Sequence, residues 1–348
     1  MDAALIILLV IIIKGLSCRD EKHNPDYMSP ANTSGIKGVF VFLVIMTHFV
    51  GYATPPLSQT YTIFRSHVNQ CVVVMFLFYS GFGMMEQIKR KGYNYVRTIP
   101  QRFLTLLINF DIAVVLYSLL QLCYGRTFSI TTYLLSLTGW DSVGNSNWYI
   151  FDMLCLYVVS WICFLPLRKG GRSSLYLSTA LMTAGSIALV LAIRALGKEG
   201  WWYNTLLTFP LGMLFSLLRP QFDRLLKHKY AYLTACAVVS VAYMFFSNRR
   251  GTALSYYTVW TFLFVAGVVL MSMKLQLRSP VLDYAGKHVF SIYILQRIPM
   301  FCLNKAGLLT SHPYLSLIIS VMVTILMAEI FDTLTGKLTN RIFHRKQA

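Results

Sequence analysis

The sequence predicts an all-α polytopic membrane protein with about 10–11 transmembrane helices and a cytoplasmic C-terminus. Three observations predict it: the composition, the recurrence of apolar runs, and the alternation of basic loops. The 348 residues are 56% hydrophobic and 13% charged, whereas a soluble domain carries about twice that charge. Long apolar runs recur from end to end, without the alternating pattern of barrel strands. The formal net charge of +18 would suggest nucleic acid in a soluble protein. Here most basic residues lie between hydrophobic segments, so topology accounts for them and no nucleic-acid partner is expected.

Spans are expected at about 3–16, 36–52, 70–86, 103–124, 147–166, 175–196, 201–218, 230–247, 255–274, 287–303 and 313–334. The first is short. Met1-Asp2 offers no positive n-region and no small-residue cleavage site follows, so it reads as an anchor helix with its N-terminus outside. Lys14, Arg19 and Lys22 come after it. Loops 17–34, 86–102, 168–174, 219–229 and 274–287, with the tail 335–348, hold 21 Lys and Arg, against 6 in the alternate loops. The positive-inside rule places the first set in the cytoplasm. The expected organisation is an anchor helix and linker (1–30), a multi-helix membrane domain (31–342) and a short basic tail (343–348). The cysteines lie in or beside apolar runs with neither metal-ligand nor redox spacing, and no metal site is expected. No P-loop, GxGxxG, HExxH or GxSxG pattern occurs in suitable context, and no internal repeat is evident.

The stretch Gly35–Phe49 carries a lysine at one end, Lys37, and a histidine near the other, His48. Eleven helical steps make about three turns and about 16 Å, so both project from nearly one face. An ionisable residue in a membrane segment is a functional candidate because hydrocarbon makes it costly. The plainer alternative is a lysine snorkelling to headgroups and a histidine bonded to a neighbouring helix. Orientation sorts the ionisable groups into an outer tier of His48, Asp152 and Arg297 and an inner tier of Lys37, Asp111, Arg97 and Arg102, with Glu329 and Asp332 near the inner end of the last span. Loop 86–102, the most basic and also aromatic, is either a headgroup loop or a docking site for an anionic cytoplasmic ligand.

These residues also resemble a known family. The lysine, ten residues and a histidine are similar to the Arg-x10-His motif of the acyltransferase-3 family of integral-membrane acyltransferases. Val74–Gly83 is similar to that family's Phe-rich "F-SGF/Y" segment, Arg97–Arg102 resembles the basic stretch after it, Asn145–Phe151 the Trp-aromatic start of a later helix, and Phe290–Arg297 a late "S-IYL-H/Q" segment. The resemblance runs from about Asn32 to Arg341 and is to the stand-alone form, with an extra N-terminal helix before the usual ten. Lys37 keeps the charge of the family's arginine but loses its bidentate fork.

The resemblance implies an O-acetyltransferase of the cell (plasma or inner) membrane. It would take acyl-CoA, most often acetyl-CoA, as a cytoplasmic donor rather than a bound cofactor, and a hydroxyl of a cell-surface or lipid-linked carbohydrate as acceptor. Its expected surroundings are membrane lipid and either a second copy or glycan-assembly proteins. His48 is then the general base, oriented by Asp152. Lys37, Arg97 and Arg102 hold the donor's phosphates, Arg297 or a tyrosine hydroxyl meets the oxyanion, and Trp148, Tyr149, Tyr79 and Ser80 form the acceptor side. Two other readings stay open: a transporter or flippase for a lipid-linked saccharide, and a non-catalytic subunit of a polysaccharide assembly complex.

Overall fold

The computed structural model describes residues 1–18, 24–53, 55, 57–68 and 70–344. Arg19 and Lys22 of the first linker, and residues 345–348 of the basic tail, lie outside the described residues. The helices are α1 (Asp2–Gly15), α2 (Pro30–Ala53), α3 (Gln59–Val68), α4 (Cys71–Lys91), α5 (Tyr93–Val96), α6 (Ile99–Cys123), α7 (Ile130–Leu137), α8 (Trp148–Cys163) and α9 (Arg172–Ala195). They continue with α10 (Thr208–Leu226), α11 (Lys229–Arg249), α12 (Leu254–Lys274), α13 (Pro280–Lys287), α14 (Val289–Leu295), α15 (Arg297–Lys305), α16 (Leu308–Ser311) and α17 (Pro313–His344). The protein is an all-α multi-pass membrane protein. Among the described residues, 8 helical runs are long and apolar enough to cross a membrane: α2, α3–α4, α5–α6, α8 with the turn after it, α9, α11, α12 and α17.

The three other expected spans take different forms, each for a physical reason. α1 rises about 21 Å, less than the roughly 30 Å of hydrocarbon. A strand, β1 (Leu16–Cys18), prolongs it and pairs antiparallel with β2 (Leu275–Leu277). At its start the Met1 amino group donates to the Tyr314 hydroxyl at 3.2 Å, and Asp2 accepts from Ser58 at 2.7 Å. α1 therefore runs along the bundle from the start of α17 to the end of α12.

The span expected at 201–218 begins as turns and becomes helical only at Thr208, then continues to Leu226 through Arg219, Asp223 and Arg224. Pro220 sits inside it and has no N–H for the carbonyl four residues back. That carbonyl, Ser216, instead accepts from the Lys89 ammonium at 2.9 Å, and Glu86 receives both Lys89 and the Ser216 hydroxyl.

The span expected at 287–303 is broken at Gln296 into α14 and α15. Pro299 explains the break, since it leaves the Leu295 carbonyl without its helical donor. The Tyr117 hydroxyl braces the turn by donating to the Ile294 carbonyl at 2.9 Å.

α4 is the central helix. Its Val73, Val74 and Phe78 join a core with α2, α6, α14 and α17, while its Leu77, Met84 and Met85 join a second with α8, α9 and α10. α11 is mostly exposed and faces the surroundings. Lipid tails are as apolar as leucine, so helices in a bilayer associate through close packing rather than hydrophobic exclusion. Two contacts bring backbones together: a Cβ on Gly38 of α2 would overlap the Leu282 carbonyl of α13, and one on Gly286 would overlap the Ser34 carbonyl. Gly81 of α4 and Gly212 of α10 meet Phe209 and Phe78 in the same way.

Gly38→Ala and Gly81→Ala are expected to cost on the order of 1–3 kcal/mol or more, because a backbone carbonyl cannot move aside as a side chain does. Gly83→Ala, on the same helix as Gly81 but with nothing within 4 Å of its added carbon, is expected to be neutral. Thermal unfolding in detergent checks this, and a Gly38→Ala protein as stable as wild type would contradict the packing.

Candidate functional site

A cavity of about 770 Å³ opens between α2, α4, α6, α8, α13 and α14. One end is cationic: Lys37, Lys91, Arg102 and Lys287 line it. None of the four has a carboxylate within ion-pair distance among the described residues. Lys37 and Lys287 both line the cavity, and each is the immediate neighbour of a glycine, Gly38 or Gly286, through which α2 and α13 touch. The Arg102 guanidinium lies 4.9 Å over the Tyr95 ring, also in the cavity wall. Unpaired cations around a recess form a site for an anionic ligand, with the arginine able to grip phosphate as a fork.

The cavity's other end is aromatic. Tyr149 and Tyr293 meet edge to face at 5.5 Å, with Phe76 at 6.4 Å from Tyr149. Tyr293 is shared between two environments, because it lines the cavity and is also the ring neighbour of His48 at 6.3 Å. His48 itself does not line the cavity. Its side chain has Gln296 and Arg297 beside it, brought there by the break between α14 and α15, and Tyr52, one turn on in α2, reaches the same guanidinium.

This region concentrates buried polar atoms without hydrogen-bond partners: His48 Nδ1, both carboxylate oxygens of Asp152, the Tyr293 and Ser146 hydroxyls, Gln296 Oε1 and Arg297 Nε. Each such group costs free energy unless a ligand or water meets it. A cluster of them, with donors and acceptors mixed, is the character of a site that binds a polar molecule. The turn before α8 supplies part of it. Asn147 donates to the Gly139 and Asp141 carbonyls at 3.0 Å, and Ser142 donates to the Asn145 carbonyl at 2.8 Å. That tight turn sets Ser146 beside Tyr293 and starts α8 at Trp148.

The expected site residues separate as follows. Lys37, Arg102, Tyr79, Ser80 and Tyr149 all line the cavity, with Ser80 against the Tyr149 hydroxyl. Arg297 lies beside His48, as an outer tier requires. Asp152 is fully buried, but its neighbours are Tyr149 and Tyr293, and no hydrogen bond joins it to His48. Trp148 packs against Tyr149 at 6.1 Å without reaching the cavity. Arg97 also stays out: it is exposed in the turn between α5 and α6, whereas Lys91 and Lys287 line the cavity. Asp111 does not line the cavity either. In the sequence Lys91 stands out only as part of the basic loop 86–102, Lys287 only as a topology signal, and Gln296 is given no role. Pro299 within an expected span was the available signal for the latter, since intramembrane helix breaks line cavities.

The fold and this constellation define a multi-pass membrane protein with a cavity that is cationic at one end and has a histidine beyond the other. A family profile described as an acyltransferase domain, acyltransferase-3, matches residues 33–330. The chain belongs to the acyltransferase-3 family and is a multi-pass membrane acyltransferase. No curated protein and no solved structure matches it.

Asp152→Asn is expected to leave the melting temperature unchanged or raise it, because it removes a buried carboxylate that has no partner. A loss near the 3–5 kcal/mol that follows from breaking a buried ion pair, roughly, would instead mean that Asp152 is paired. Unfolding in detergent decides between them.

Proposed function

We propose that the protein transfers an acyl group, acetyl in the simplest case, from acyl-CoA to a hydroxyl of a cell-surface or lipid-linked carbohydrate, with His48 as general base. The observation that carries this reading is the path from the cationic mouth to Tyr293, the ring that separates the cavity from His48. The donor's phosphates rest against Lys37, Lys91, Arg102 and Lys287, the cytoplasmic end by the positive-inside rule. Its pantetheine arm reaches along the cavity, as the roughly 16 Å between Lys37 and His48 on one helix requires.

In the reaction, His48 takes the proton of the acceptor hydroxyl as that oxygen attacks the thioester carbonyl. The Tyr293 hydroxyl and the Arg297 guanidinium stabilise the oxyanion as it develops. The intermediate then collapses, the C–S bond breaks, and the imidazolium returns its proton to the departing CoA thiolate. Asp152 acts through the tyrosines that pack on it rather than by a hydrogen bond to His48. The accessible part of the half-buried His48 side chain faces the acceptor, and the orphaned polar atoms around it meet the sugar's hydroxyls. The membrane in which this happens is the cell membrane, where such acceptors are displayed or assembled.

Release of free CoA from acetyl-CoA by purified protein, supplied with a crude envelope acceptor, tests the reading. His48→Ala at matched folded yield is expected to lose about 10²-fold or more, the range for a general base. Equal release by both proteins would remove His48 as the base. Lys287→Gln is expected to raise KM for acyl-CoA about tenfold, the loss of roughly one charge-assisted hydrogen bond, with kcat nearly unchanged. A KM equal to that of wild type would contradict its place in donor binding.

A further inference from the structure

Away from this cavity, a second recess has no part in the chemistry. α10 is pressed onto α4 by the Gly81 and Gly212 contact, and α11 packs along α12. Between the two pairs lies an elongated groove of about 340 Å³. Its lining is apolar throughout, with Leu211, Phe215 and Phe222 on α10, Val265 and Met273 on α12, and Phe78 of α4 at its floor. On α10 the lining runs from Leu211 to Leu226, about 22 Å of helical rise, the reach of one long acyl chain.

The helices that border the groove end together on one side. α10 ends at Leu226, α11 begins at Lys229 and α12 ends at Lys274. That end carries Arg224, Lys227, Lys229 and Lys274. Arg224, Lys227 and Lys229 have no carboxylate within ion-pair distance among the described residues. The nearby Asp223 is already engaged, by the Tyr27 hydroxyl at 2.8 Å and by Arg219 at 3.4 Å. Lys274 lies 5.5 Å over the Tyr232 ring, whose hydroxyl is tied to the Leu270 carbonyl at the groove's edge.

An apolar slot that ends in a group of cations is complementary to a chain bearing an anionic head. We propose that the groove binds one anionic phospholipid, with an acyl chain between α10 and α12 and the phosphate among Arg224, Lys227 and Lys229. Each cation near the membrane surface adds attraction for an anionic headgroup. A zwitterionic lipid offers the same chain but no net charge to these groups. Bound there, the lipid fills space that no side chain fills and couples the α4–α10 pair to α11–α12, so it stabilises the folded state by mass action.

The test uses full-length protein stripped of lipid in detergent. Phosphatidylglycerol, phosphatidylcholine or inorganic phosphate is added, with thermal unfolding and native mass spectrometry as readouts. Phosphatidylglycerol is expected to raise the melting temperature by several degrees and to appear as one retained lipid, phosphatidylcholine to do markedly less, and phosphate nothing. Ala266→Phe, which narrows the groove from its own lining, is expected to lose most of the rise. The combined Arg224→Gln, Lys227→Gln and Lys229→Gln variant alters exposed positions only. It is expected to keep the phosphatidylcholine response and lose the excess for phosphatidylglycerol. Equal effects of the two lipids on wild type, or an undiminished excess in the triple variant, would overturn the proposal. If Ala266→Phe fails to fold, the triple variant decides alone.

Discussion

The contact between α2 and α13 is the constraint on which the site depends. Gly38 and Gly286 let the two backbones meet where any larger residue would overlap a carbonyl. In a bilayer that closeness supplies the dispersion and polar contacts that the hydrophobic effect does not. Here it also has a chemical consequence. Lys37 and Lys287 are the neighbours of those glycines, and both line the mouth of one cavity, neither with a carboxylate within ion-pair distance among the described residues. Because α2 is a single rigid helix, fixing Lys37 at one level also fixes His48 about three turns further on.

The opposite end of the site is set by a break. Pro299 leaves the Leu295 carbonyl without its helical donor and α14 gives way to α15 at Gln296, where Tyr117 braces the neighbouring Ile294 carbonyl. The interruption puts Tyr293, Gln296 and Arg297 on one short stretch facing α2. Membrane proteins tolerate such irregular backbone only where protein or a cavity receives it. Buried polar atoms left without partners gather at the same place. A fold that spends stability there, and packs its other helices by glycine contact, is consistent with a binding and reaction centre.

Much of this was legible in the sequence. The eight long apolar runs follow from segments that must cross roughly 30 Å of hydrocarbon, and the Lys37–His48 spacing follows from helical pitch. Some of the residues that carry the family resemblance also line the cavity, Lys37, Tyr79, Ser80 and Tyr149 among them, whereas His48, Arg97 and Trp148 do not. What was not legible depended on packing. Arg97 and Lys91 are both basic residues of one loop, and only the single turn of α5 decides which of them reaches the cavity. Asp152 lies at the depth expected for a partner of His48, yet the rotation of α8 turns it toward Tyr149 and Tyr293 instead. The break at Gln296 was signalled by Pro299, but a proline kinks some helices and interrupts others, and only the surroundings choose.

The proposed reaction needs the cavity that runs from the cations to Tyr293 to open past that ring to His48. The most direct measurement is a cryo-EM structure of the full chain with a non-hydrolysable acyl-CoA analogue. Phosphate density is expected among Lys37, Lys91, Arg102 and Lys287 and the acyl carbon at the Tyr149–Tyr293 pair, with that pair parted toward His48. An analogue bound elsewhere, or one whose acyl end points away from Tyr293, would contradict it.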